Sequence, residues 1–126
     1  MHALVIDDSR AMRIILGSIL RDLGFEVAEA AHGKEALQRL RENERTDVAL
    51  VDWNMPEMNG FEFVRSVRAQ PKYDALRLMM VTTETDLGRV ADALEAGANE
   101  YVFKPFTKDA LIQKLTLLGI DPPEDA

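Results

Sequence analysis

Short apolar runs alternate with stretches in which apolar residues recur every three or four positions, and the alternation repeats along the whole chain. Residues 3–6 read as a first strand. A helical pattern follows, with Ser9 as N-cap, Gly24 as terminator and Met12, Ile15, Ile19 and Leu23 expected on its buried face. Residues 25–30 alternate apolar and polar with period two, as a half-buried strand does, and residues 33–43 are again helical. Residues 48–51 are apolar without alternation, the pattern of a strand covered on both faces. The next helix is expected from about Phe61 to the break at Pro71. Residues 78–81 and 101–103 complete the strands. Residues 86–97 and a last helix, capped by Thr107 and carrying Leu111, Ile112, Leu115 and Leu118, complete the helices. Residues 1–120 are thus expected to form one domain, and the tail 121–126, with its two prolines, to fray.

Five consecutive βα units predict an α/β fold with a doubly wound parallel sheet, since a closed barrel needs about eight. Ligands of such sheets bind beyond the carboxyl ends of the strands. Those ends carry Asp7 and Asp8 after the first strand, Asp52 after the third, Thr82 and Thr83 after the fourth, and Lys104 after the fifth. The right-handed crossover brings them to one edge.

Composition narrows what that edge can do. The chain of 126 residues has no cysteine, which excludes disulfides and thiolate metal sites, and its two histidines make an imidazole cluster a poor prospect. A net charge of -7 argues against partners that are nucleic acid or anionic lipid. No apolar stretch is long enough for a membrane span and the N-terminal residues lack a signal-peptide pattern, so a soluble, cytoplasmic protein is expected.

Three carboxylates at one edge repel, at about 4 kcal/mol for a pair about 4 Å apart at an effective dielectric near 20. A hard divalent cation relieves this, and oxygen ligands without thiolate or imidazole favour Mg²⁺, with Mn²⁺ as the other candidate. Lys104 then suits a phosphoryl oxygen and the Thr82 hydroxyl another, and a carboxylate can itself be the nucleophile. Singly, each residue has an ordinary explanation: a solvated acid, a turn threonine, a snorkelling lysine. Their joint placement at four strand ends outweighs those explanations. His2 and His32 are assigned no chemistry, and Met79 and Met80 are read as core. Met55 and Met58, beside Asp52, remain open between core and binding surface.

The segments VIDDS, VDWNMPEMNG, MMVTTE and YVFKPF, in this order and spacing, resemble the receiver domain of bacterial two-component response regulators, most closely the stand-alone chemotaxis regulators. The resemblance extends to about Leu118. It implies a flavodoxin-like fold with strand order 2-1-3-4-5 and a phosphoacceptor at Asp52. It further implies Mg²⁺ held by the side chains of Asp8 and Asp52, the backbone carbonyl of Asn54, and Asp7 through water. Lys104, in a cis bond to Pro105, would bind the phosphoryl group, and Thr82 and Tyr101 would form the switch pair. Gly60 resembles the glycine that lets the loop enter the next helix.

The implied partners are a sensor histidine kinase, a downstream protein target such as the flagellar motor switch, and a phosphatase. The implied partner surface is the fourth helix, fifth strand and fifth helix, and the chain is a phosphoacceptor and not an enzyme in its own right. Thr83 departs from the small residue of the chemotaxis pattern and adds bulk at the entrance. Asn54 and Glu84, at positions that tune the lifetime of the phosphate, match it. The alternatives are a phosphorelay intermediate, an adaptor or phosphate sink, and a haloacid-dehalogenase-like phosphatase, whose nucleophile would instead follow the first strand. A flavin or nucleotide carrier is disfavoured, because no strand leads into a glycine-rich phosphate loop.

Overall fold

The computed structural model describes residues 1–43, 45–83 and 87–120. Its five strands are β1 (His2–Ile6), β2 (Glu26–Ala30), β3 (Val48–Asp52), β4 (Arg77–Thr83) and β5 (Glu100–Lys104). They alternate with α1 (Arg10–Asp22), α2 (Gly33–Glu42), α3 (Gly60–Arg68), α4 (Leu87–Ala96) and α5 (Lys108–Leu117). All strand pairs are parallel, and the sheet order is β2-β1-β3-β4-β5, the expected doubly wound order.

The period of two along each strand divides the core into two layers. Ala3, Val5, Val48, Leu50, Met79 and Val81 meet Leu16 and Leu20 of α1 and Leu111 and Leu115 of α5. Leu4, Ile6, Ala49, Val51, Leu78 and Met80 face the other way, onto Ala36 and Leu40 of α2, Phe63, Val64 and Val67 of α3, and Ala93 of α4. Every residue of β3 is buried, as its unbroken apolar run requires. The tail 121–126 lies outside the described residues.

One expectation needs correction. On α1 the buried face runs through Leu16, Leu20 and Leu23, with Met12 and Ile19 partly covered, whereas Ile15 is 49 % exposed. Ile15 stands about 100° around the helix from Leu16, which carries it off the sheet-facing stripe. The third helix ends at Arg68, ahead of Pro71 as expected, and Pro71 opens a 3₁₀ turn, Pro71–Tyr73, after the extended Gln70. A residue before proline is pushed out of helical geometry. Arg68 then secures the turned chain: its guanidinium donates to the carbonyls of Tyr73 (2.7 Å), Leu76 (2.7 Å) and Gly97 (2.9 Å) and to Asn99 Oδ1 (2.8 Å).

The helix starts are built as local chemistry dictates. Ser9 and Thr107 accept from Met12 N and Ala110 N as expected. The Nδ1 of His32 accepts from Glu35 N at 3.2 Å, so this histidine is a helix cap. Asn59 and Glu62 form a reciprocal capping box at the start of α3.

Candidate functional site

Asp7 leaves β1 at its carboxyl end. Its N–H still pairs with the Ala30 carbonyl at 3.1 Å, and its Oδ1 accepts from Ser9 N at 2.8 Å, so the side chain is fixed by the turn into α1. Asp52 is the last residue of β3, paired in register with Val81. Lys104, the last residue of β5, extends back across the edge of the sheet: its Nζ lies 3.3 Å from Asp7 Oδ2 and 3.3 Å from Asp52 Oδ1. Asp8 is exposed at the mouth. Each of Asp7, Asp8 and Asp52 offers a carboxylate oxygen within 4.8 Å of the others.

The charges do not balance. Among the described residues, three acids face one ammonium, and two of the acids, Asp7 and Asp52, are almost wholly buried, at 1 % and 8 % exposure. Burial pushes the Asp52 carboxyl above its ordinary value, the charge of Asp7 adds to the rise, Lys104 pulls it back by charge and by hydrogen bond, and Asp8 adds a little more. Desolvation therefore outweighs the lysine. The clustered hard oxygens and their uncompensated charge fit a divalent cation of the Mg²⁺ type, with Asp7, Asp8 and Asp52 as the groups able to hold it.

Around this centre, Thr82 is buried at 2 % exposure and follows Leu78 and Met80 on the α3–α4 face of the sheet. Tyr101, half-buried, packs against that same layer, with its ring 5.0 Å from that of Phe103 and the Lys114 ammonium 4.4 Å above it. Thr82 and Tyr101, which the resemblance pairs as a switch, thus share one face on neighbouring strands. Asn54 and Thr83 are exposed at the mouth, and Glu84 lies outside the described residues. Met55 belongs to the core, and Met58, half-buried, packs against it. The Lys104–Pro105 bond is cis.

Two residues of the neighbourhood carried no signal in the sequence. Arg13 donates from Nη1 to the Asp7 carbonyl at 2.7 Å and from Nε to Glu29 Oε1 at 3.2 Å, bracing the backbone under the acid pair. Arg89 reaches from α4 to Asn54. An exposed arginine in a helical pattern reads as a solvated face, and only the fold shows what it meets.

With this geometry in view, comparison with known proteins assigns the class. The model of the response regulator receiver domain matches residues 3–116, and the chain belongs to that family. A chemotaxis protein CheY homolog of Campylobacter jejuni is 48 % identical over 128 aligned positions, covering 100 % of this chain and 98 % of that protein. The crystallised chemotaxis protein CheY4 of Vibrio cholerae superposes with a TM-score of 0.86 at 38 % identity, over 93 % of this chain and 97 % of that one. A receiver domain of a Pseudomonas aeruginosa sensor histidine kinase, 28 % identical with a TM-score of 0.82 over 94 % of this chain and 97 % of its own, has a magnesium ion coordinated in its active site cleft. Among the described residues, no helix is long and apolar enough to cross a membrane.

Proposed function

We propose that residues 1–120 act as a response regulator receiver that accepts a phosphoryl group on Asp52 from a sensor histidine kinase and signals by binding a protein partner. The observation that carries this is the Asp52 carboxylate, almost buried at the end of β3, with Lys104 3.3 Å away and Asp7 and Asp8 beside it. An Asp52 oxygen attacks the phosphorus of the donor, a new O–P bond forms, and the donor's bond to phosphorus breaks with its electron pair staying on the leaving group. Lys104 neutralises a phosphoryl oxygen, and the Thr82 hydroxyl donates to another. Asp8, Asp52, the Asn54 carbonyl and, through water, Asp7 would hold Mg²⁺, which when bound supplies charge neutralisation for the phosphoryl oxygens. Engagement of Thr82 frees space on the α3–α4 face for the Tyr101 ring to turn inward, and the partner reads that change on α4, β5 and α5.

The names of the relatives point to chemotaxis; the flagellar motor switch as target and a phosphatase that ends the signal are what the family resemblance implies. The acidic chain is read as acting in the cytoplasm, without nucleic acid or membrane as partner. The test is chemical. A small phosphodonor with Mg²⁺ should label the protein with an acid-stable, base-labile phosphate, and Asp52→Asn should abolish the label. Full labelling of Asp52→Asn would place the acceptor elsewhere and overturn the proposal.

A further inference from the structure

Arg89 of α4 reaches the loop that follows Asp52. Its Nη1 donates to Asn54 Oδ1 at 3.3 Å, and its guanidinium carbon stands 5.5 Å from the centre of the Trp53 ring. That is within the range at which an aromatic face holds a cation. Trp53 in turn stacks on Phe61 of α3, with ring centres 5.7 Å apart and planes at 20°, and the Arg65 guanidinium lies 5.7 Å from the Phe61 ring. A series of cation, two aromatic rings and cation therefore runs from α4, through the residue next to Asp52, to α3.

The rest of α4 is lightly anchored. Its buried side chains are Val90 and Ala93, both small, while Leu87 is 62 % exposed and Leu94 38 %. A helix with so little buried apolar surface moves at low cost, so its position responds to the directional contacts it makes, Arg89 with Asn54 and Trp53 among them. Arg89 joins it to the two residues immediately after Asp52.

We propose that Arg89 is a positioning residue that transmits the charge state of Asp52 to α4. This rests on Asp52 being the phosphoacceptor. Phosphorylation replaces the single negative charge of Asp52 with roughly two at neutral pH and adds the bulk of the phosphoryl group. Any adjustment of the 52–54 backbone that accommodates it displaces two groups that meet the guanidinium, because Trp53 and Asn54 are adjacent in one loop. The two contacts shift together and α4 shifts with them. The coupling is reciprocal, so α4 held through Arg89 also favours the filled site.

The experiment is hydrogen exchange of the α4 backbone amides in the intact protein, with and without Mg²⁺ plus beryllofluoride as a phosphoryl mimic. Trp53 emission reports separately that the site has filled. In the wild type, filling should slow α4 exchange by about fivefold or more, the lower end of common coupling strengths. Arg89→Gln should still show a saturable Trp53 change yet lose most of the slowing. Arg89→Lys, which keeps a cation over Trp53, should recover part of it. An α4 response in Arg89→Gln equal to that of the wild type overturns the proposal. So does an α4 that exchanges fast in both states of that variant, since Arg89 would then only hold the helix in place. A wild type without any saturable emission change overturns the assignment of Asp52 itself, and this inference with it.

Discussion

The Asp52 charge costs the free protein stability, and the cost has a sign that can be measured. Its carboxyl is raised above the ordinary value by burial and by Asp7, so between the ordinary value and the raised one the folded chain binds more protons than the unfolded chain. Stability attributable to this group is therefore fully present below the ordinary carboxylate range and is lost as pH rises through the raised value. In buffer free of divalent cations, Asp52→Asn should melt higher than the wild type at neutral pH by a few degrees, at roughly 4 °C per kcal/mol for a domain of this size. The advantage should shrink as pH falls toward the ordinary carboxylate range. Thermal melts of both proteins across pH check this, and a constant difference would mean that the charge is not its source. Lys104 moderates the cost without removing it, because one ammonium at 3.3 Å is shared between Asp52 and Asp7.

Between elements, the approach of α3 to β3 is set by the absence of a side chain. Gly60 donates its N–H to the Trp53 carbonyl at 2.8 Å. A Cβ there would stand 2.5 Å from the Asp52 carbonyl oxygen, 2.9 Å from Met80 Cε and 3.0 Å from Trp53 Cα. Met80 can yield, but the two backbone atoms can do so only if the helix start moves away from the strand end. Gly60→Ala should therefore cost about 1–3 kcal/mol, as overpacking does. It should also weaken Mg²⁺ binding, since the displaced backbone carries Asp52. Urea unfolding and a Mg²⁺ titration measure the two effects, and a loss of stability with unchanged Mg²⁺ affinity would separate the packing from the site. The same loop holds Glu57 at φ 67, a left-handed conformation rare for a residue with a side chain, with Met58 N donating to the Pro56 carbonyl at 2.7 Å. The tight turn that this strain sustains brings Met58 onto α2, where it occupies the space a Cβ on Gly33 would need.

Across the whole molecule, the repulsion among Asp7, Asp8 and Asp52 makes cation binding and folding one equilibrium. A cation that binds only the folded chain stabilises it by about 2.7 kcal/mol at 100 times its dissociation constant. Millimolar Mg²⁺ is expected to raise the melting temperature and, in parallel, to change the emission of Trp53, the one tryptophan of the chain, saturably and reversibly with chelator. Asp8→Ala should weaken both together, because Asp8 is the exposed member of the cluster and its removal leaves the buried pair with Lys104. A flat titration on folded protein would count against the metal centre and against the chemistry built on it.

What the sequence by itself determined is the set of elements and the edge on which the chemistry stands. Periods of two and near 3.6 are local properties, so the strands and helices were legible to within a residue or two, and the capping residues Ser9 and Thr107 with them. The gathering of Asp7, Asp52 and Lys104 was legible too, because strands that run parallel in one sheet all end on the same side. The order of the strands was available only through the resemblance. Local pattern could not phase α1 correctly, since Ile15 and Leu16 are equally apolar and only the sheet decides which of them it covers. Nor could it show that Pro71 would open a turn clasped by Arg68, or that His32 caps α2. The tertiary structure alone decided the contacts between distant residues. Lys104 meets Asp7 across 97 positions and Arg89 meets Asn54 across 35, and those distances depend on register and on helix placement rather than on any periodicity along the chain.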